Sequence, residues 1–189
     1  MEILKQRILE VGVVISDQVV KLDAILNHQV DPALIMELGK EFARRFAETK
    51  PTKVLTVESS GIPIAFTTAL ELGIPMVFAR RKKTLTMDQD TYSERVPSFT
   101  KGIVTDIMVS SNYLGPKDRI LLIDDFIANG DAARALIRII EKAGAELTGV
   151  GIVIEKLFQS GGSSIRERGI RVESLARISS LAGGRIQFE

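Results

Sequence analysis

The sequence contains no cysteine. A disulfide framework and a thiol nucleophile are therefore excluded, and a reducing compartment is allowed. Charge of neither sign dominates, and the formal net charge is +1. That gives no electrostatic ground for general binding to nucleic acid or to a membrane surface. No apolar run approaches the roughly 20 residues that a membrane helix needs. The opening residues, Met-Glu-Ile-Leu-Lys-Gln-Arg, are charged and lack a signal-peptide core, so the expected location is the cytoplasm. Histidine occurs once, at His28, where a surface position is expected rather than acid–base duty. No internal repeat and no linker divides the chain. What is present, 189 residues with 45% apolar and 26% charged side chains, is the balance of a globular protein and suits one domain, 1–189, with a full core.

The chain is organised around Ile120 to Ala133. Ile120-Leu121-Leu122-Ile123 is too short for a helix of its own and fits a strand buried on both faces of a parallel sheet. Asp124 and Asp125 are expected where that strand ends. Adjacent side chains on a strand point to opposite faces, so the two need not share one task. Taken alone, the pair is either a solvated or capping feature or part of a site. A short loop with Gly130 follows, and Ala132 to Ala143 reads as a helix. In open α/β sheets ligands bind beyond the carboxyl ends of strands. Free N–H groups at a helix start favour an anion, above all a phosphate. Asp131 would repel a phosphate, and is expected to point outward or to cap the helix.

The rest of the chain fits a βαβ pattern. Glu2 to Glu10 reads as a short amphipathic helix with Ile3, Leu4, Ile8 and Val11 near one face. Val13 to Asn27 reads as an irregular segment with strand character. Asp31-Pro32 is a helix start, with Asp as N-cap and Pro at the first helical position. That helix is expected to reach about Glu48 and to bury Leu34, Ile35, Leu38, Phe42 and Phe46. Lys53 to Val57 reads as a strand, Glu58-Ser59-Ser60-Gly61 as a turn, Pro63 to Leu72 as a helix ending at Gly73, and Pro75 to Ala79 as a strand. The basic run Arg80 to Lys83 is either a solvated loop or a screen for phosphate charge. Ile103 to Val109 suggests a hairpin arm, and the polar part from Asp88 to Pro97 a lid. Leu147 to Ile154 reads as a buried strand, Glu155 to Gly162 as a loop, Ser163 to Arg168 as a short helix capped by Gly169, and Arg171 to Ile178 as a last, more exposed strand. This order predicts a parallel sheet with helices on both faces.

Leu121 to Ala133 resembles the 5-phosphoribosyl 1-diphosphate (PRPP) signature of the type I phosphoribosyltransferases, an apolar strand, two acidic residues and a glycine loop. It departs in the loop, where Asn129 and Ala132 stand at positions that carry hydroxyl residues in the common pattern. The variant Ala-Asn-Gly-X-Ala is similar to the xanthine-using branch of that family. So are Glu58–Gly61, Arg80–Lys83, Glu155–Lys156 and Asn27. The resemblance implies the type I phosphoribosyltransferase fold: a mostly parallel central sheet flanked by helices, a β-arm, and a small hood from about 1–30 and 155–189. It implies transfer of 5-phosphoribosyl from PRPP to N9 of xanthine, giving xanthosine 5′-monophosphate and diphosphate in purine salvage. Mg²⁺ would arrive bound to PRPP rather than held by a protein metal site.

The same resemblance implies roles. Asp124 and Asp125 would be catalytic, stabilising the oxocarbenium-like ribose. Ala128, Asn129, Gly130, Asp131 and Ala132 would hold the 5′-phosphate, and Ser59, Ser60 and Gly61 the diphosphate. Arg80 or its neighbour would reach a partner's site, making a homodimer the active unit. Lys156 would donate to a 6-oxo group, which argues for an oxopurine, and Val20 and Asn27 would cover the base, with Asn27 at the 2-oxo group. Phe126 and Phe158 are candidate apolar faces for the base. Hypoxanthine or guanine is the alternative base. A purine-sensing regulator on the same fold would need a DNA-binding module or a basic face; only about thirty residues precede the Asp31 helix, and net charge is near zero.

Overall fold

The computed structural model describes residues 1–82, 90–98 and 103–189. Lys83 and the Asp88–Gln89 start of the expected lid lie outside the described residues. Helix α1 (Glu2–Val11) buries Leu4 and Ile8. Ile3, expected on the same face, is 46% exposed, because one residue of helix rotation carries it off the Leu4–Ile8 line. Val13 to Asn27 is more regular than its sequence suggests. Strands β1 (Val13–Ser16) and β2 (Val19–Lys21) form an antiparallel hairpin, and Asp23–Asn27 is one wide helical turn.

Asp31 caps α2 (Pro32–Phe46) as expected: its side chain accepts from the Leu34 N–H at 3.2 Å. All five residues expected on the buried face of α2 are buried. Strand β3 (Lys53–Val57) is followed by α3 (Ile62–Leu72), which ends at Gly73 in the left-handed conformation, and then by β4 (Met76–Ala79). The arm is β5 (Thr91–Ser98) paired antiparallel with β6 (Ile103–Ser110). The expected lid is therefore an ordered strand from Thr91 onward. Its polarity has a long-range cause: Glu94 meets Arg138 and Lys142, each at 2.6 Å, on the fourth helix.

Strand β7 (Arg119–Ile127) leads into α4 (Asp131–Lys142), then β8 (Glu146–Lys156), α5 (Gly161–Arg166), β9 (Val172–Ser180) and β10 (Gln187–Phe188). The main sheet has the order β10-β9-β8-β7-β3-β4, and every pair in it is parallel except β9 with β10. The apolar run on β7 is buried on both faces, as its composition requires. Leu121 and Ile123 pack on the α2–α3 side, while Ile120 and Leu122 pack on the α4 side. The N-terminal segment lies against the C-terminal strands. The Met1 amino group donates to the Leu175 carbonyl at 2.6 Å, and Leu4, Ile8, Leu22 and Ile25 share a core with Ile178 and Leu181.

This strand order places the site. From β3 the chain moves outward to β4; from β7 it moves the other way, to β8 and β9. The order reverses between β3 and β7, so a crevice opens beyond their carboxyl ends.

Candidate active site

A cleft of about 480 Å³ opens at that reversal, lined by Glu58 to Gly61, Arg81, Asp124, Asp125, Phe126 and Ala132 among others. Asp124 and Asp125 are inside β7 rather than at its end, since pairing with β8 continues to Ile127. Pairing with β3 stops at Leu122, and this frees one side of the acidic pair to face the cleft. Asp124 is 6% exposed, and its Oδ1 accepts from the Asp125 N–H at 3.0 Å. Burial, with the neighbouring Asp125 charge, pushes Asp124 well above the ordinary carboxylate range. Asp125 is half-buried, and its Oδ2 accepts from Asn27 Nδ2 at 2.8 Å.

The Glu58–Ser59 peptide bond is cis. The turn packs tightly under the acidic pair. A Cβ on Gly61 would overlap the Thr56 hydroxyl and lie 3.0 Å from Asp124 Oδ1. Glu58 Oε1 accepts from the Arg81 N–H at 2.7 Å, which fixes the start of the basic run beside the turn. Arg81 lines the cleft. Arg80 does not: its backbone pairs with Met108 of the arm, and its guanidinium stacks 5.2 Å from the Phe78 ring on the edge strand β4.

Ala128 to Ala132 joins β7 to α4 beside the cleft. Gly130, in the left-handed conformation at φ 82°, is the N-cap, and α4 begins at Asp131. Asp131 neither caps the helix nor stands free. It is the first helical residue and pairs with Arg134 at 2.7 Å, which neutralises its charge near the helix start. The N–H groups of this first turn have no partner within the helix, as at any α-helix start. Asn129 is exposed.

Glu155 and Lys156 belong to β8, not to the loop that follows it, so their side chains take opposite faces. Glu155 is buried. Lys156 donates from Nζ to the Gln18 carbonyl of the N-terminal hairpin at 2.8 Å, with the ammonium 5.8 Å from the Phe126 ring. Burial lowers the Lys156 pKa. Asn27 meets Asp125, while Val20 is buried in the core under the hairpin, away from the cleft lining. Phe126 lines the cleft; Phe158 lines a separate small hollow with Gln18 and Leu181. His28 is exposed, as expected.

Two lining residues are not singled out by local sequence. Thr105 enters from the arm, which folds over β4 and α4. Arg81 was legible only as one of several adjacent basic residues, and the Glu58 contact singles it out. The assembled cleft combines three carboxylates, of Glu58, Asp124 and Asp125, with two serines, an arginine and a nearby helix start. Such a site can grip a ligand with phosphate at more than one end and stabilise positive charge between them.

Comparison with known proteins agrees with that chemistry. The phosphoribosyl transferase domain family matches residues 21–164. A xanthine phosphoribosyltransferase of Moorella thermoacetica is 59% identical over 187 residues, covering 99% of this chain and 95% of that protein. One from Bacillus cytotoxicus is 53% identical, covering 100% of this chain and 95% of that protein. Among solved structures, an adenine phosphoribosyltransferase from Rhodothermus marinus superposes with a TM-score of 0.73 at 26% identity, covering 94% of this chain and 100% of that one. The Giardia lamblia enzyme complexed with 9-deazaadenine gives 0.72 at 26% identity, covering 84% of this chain and 86% of that one.

Proposed function

The chain belongs to the phosphoribosyl transferase family, and we propose that it transfers the 5-phosphoribosyl group of PRPP to N9 of xanthine, releasing diphosphate. The observation that carries this reading is the buried Asp124 beside Asp125, between the Glu58–Gly61 turn and the α4 start, in one cleft. The 59% identity to a xanthine-using relative over 99% of the chain supports the choice of base.

In this reading residues 128–132 and the first turn of α4 bind the 5′-phosphate through backbone N–H groups. Ser59, Ser60 and Gly61 bind the diphosphate, with Arg81 of the same chain screening its charge. Asp124 and Asp125 flank the ribose. As the bond to diphosphate breaks, positive character develops on the ribose, and the two carboxylates stabilise it where it forms. No covalent enzyme intermediate is required, and positioning supplies much of the rate. Phe126 offers its face to the base, Lys156 donates to the 6-oxo group and Asn27 to the 2-oxo group. Each of these last two already has a protein partner, Gln18 and Asp125, which holds it near the cleft.

Mg²⁺ enters with PRPP. The cleft donors are oxygens, which suits a hard cation that shares its shell with substrate oxygens and water. Among the described residues no cluster of three or more His, Cys, Asp or Glu could hold a metal. The diphosphate and ribose oxygens of PRPP, with water, would hold the ion, and when bound it supplies neutralisation of the diphosphate charge.

The whole chain acts as one domain, with a hood from about 1–30 and 155–189 over the base. A homodimer is the active unit in this reading. Arg80 directly follows the edge strand β4, outside its own cleft, with its guanidinium over the exposed Phe78, where it can serve a second copy. No helix among the described residues is long and apolar enough to cross a membrane. A substrate as highly charged as PRPP does not cross a membrane unaided, which supports a cytoplasmic reaction. One assay tests the reading: diphosphate release from PRPP with xanthine, hypoxanthine, guanine or adenine. Turnover fastest with xanthine is expected. No release with any base would end the assignment.

A further inference from the structure

The phosphate loop is anchored from outside. Residues 128–132 must leave N–H groups free if they are to bind a phosphate, so their carbonyls and packing must hold them in place. The Ala128 carbonyl accepts from the Gly161 N–H, the first residue of α5, at 2.9 Å. A Cβ on Gly130 would lie 2.9 Å from Gly161 Cα. A Cβ on Gly161 would overlap the Ala128 carbonyl oxygen and lie 2.7 Å from Gly130 N. The two backbones touch, so a shift of α5 must move the loop. A second tie runs from Arg134 Nη1 in α4 to Ser164 Oγ in α5 at 3.1 Å.

Helix α5 has six residues, too few to be stable on its own. Its position comes from buried Ile165 and from Arg166, which forks onto Glu155. Arg166 Nη1 donates to Oε1 at 2.6 Å and Nη2 to Oε2 at 2.7 Å. Ser174 Oγ adds a bond to Oε2 at 2.6 Å. Glu155 is 2% exposed. A Cβ on Gly162 would overlap Glu155 Oε1, so only glycine there lets the carboxylate lie against the helix backbone. Glu155 also pairs in the sheet with Ile127, the residue before the loop.

We infer that the Glu155–Arg166 pair is a positioning device for the PRPP phosphate loop: it seats α5, and α5 seats residues 128–132. The inference rests on reading that loop as the 5′-phosphate site. Arg166 is the better probe of the two, because Glu155 adjoins Lys156 and its replacement would disturb the base side as well.

The test compares wild-type protein with Arg166→Gln and Arg166→Lys. It reads ribose 5-phosphate affinity by calorimetry, KM for PRPP and for xanthine, kcat, and the folded fraction by circular dichroism. In folded Arg166→Gln, KM for PRPP and Kd for ribose 5-phosphate should rise about tenfold, the scale of a small misplacement of binding groups, while KM for xanthine stays within about twofold. Arg166→Lys keeps the charge without the fork and should fall between. If Arg166→Gln does not fold, Arg166→Lys decides by the same readings. Unchanged PRPP and ribose 5-phosphate binding in a folded variant overturns the inference. So does a parallel rise in both KM values, or a loss of kcat alone that follows the folded fraction. Failure of the wild-type protein to bind ribose 5-phosphate would instead remove the loop assignment beneath it.

Discussion

Asn27 Nδ2 donates to Asp125 Oδ2 at 2.8 Å, across 98 residues of sequence. The bond joins the N-terminal segment to the acidic pair on the central strand. In the proposed reaction these are the base side and the ribose side of one substrate pair. A change at Asn27 is therefore expected to report on both.

Asn27→Ala should weaken use of xanthine more than that of hypoxanthine, which has no 2-oxo group. Asn27 is exposed, so the lost hydrogen bond should cost about 0.5–1.5 kcal/mol, or roughly twofold to tenfold in preference. Steady-state kinetics with the two bases at saturating PRPP measure this. Equal losses would show that Asn27 acts on Asp125 alone.

Replacing Asp124 and Asp125 together by Asn should cost on the order of a hundredfold or more in kcat, the scale seen when groups that stabilise a developing charge are removed. The fold should persist, because Asn keeps the shape and Asp124 has its burial and hydrogen bond in common with an uncharged side chain. Diphosphate release and a thermal melt together check it; near-native turnover would remove the pair from catalysis.

Mixing Arg80→Ala subunits with Asp125→Asn subunits should restore part of the activity that each lacks alone. Arg80 stands at the edge strand and Asp125 in the cleft, so a shared site could be rebuilt in a mixed dimer. A mixture that stays inactive while subunits demonstrably exchange would count against Arg80 serving a partner.

Glu155 should contribute to acid resistance. Burial alone would raise its pKa, but bonds from Arg166 and Ser174, with Arg177 at 3.7 Å, outweigh that and hold it below the ordinary value of 4.5. Its contribution is complete above that value and is lost as pH falls through the lower folded-state value. Glu155→Gln should therefore flatten the fall in stability below about pH 4.5, although the variant is less stable at neutral pH. Urea titrations between pH 3 and 7 would show the difference as converging midpoints; parallel curves for the two proteins would refute it.

Asp31→Ala should cost about 1 kcal/mol of stability, the usual value of an N-cap, with no change in the KM values. Its carboxylate also takes a 3.2 Å bond from Arg7, so the loss should exceed that of Arg7→Ala. Chemical denaturation of both variants compares them.

Local sequence determined most of the elements and the chemical type of the site. The cap at Asp31–Pro32, the buried face of α2, the strand at Lys53–Val57 and the left-handed Gly73 follow from side-chain period and backbone preference, which act over a few residues. The acidic pair and the glycine loop were legible for the same reason, and family resemblance supplied their expected roles. Tertiary structure decided what pairs with what. It set the order β4-β3-β7-β8 that opens the cleft, and it ordered the polar segment after Asp90 by bringing Glu94 to Arg138 and Lys142. It placed Arg81 in the cleft and left Arg80 on the edge, extended β8 through Glu155 and Lys156, and joined Asn27 to Asp125. Those outcomes rest on charges and hydrogen bonds between residues far apart in sequence. Their free energy depends on the distance and burial that folding creates, and no periodicity along the chain encodes either.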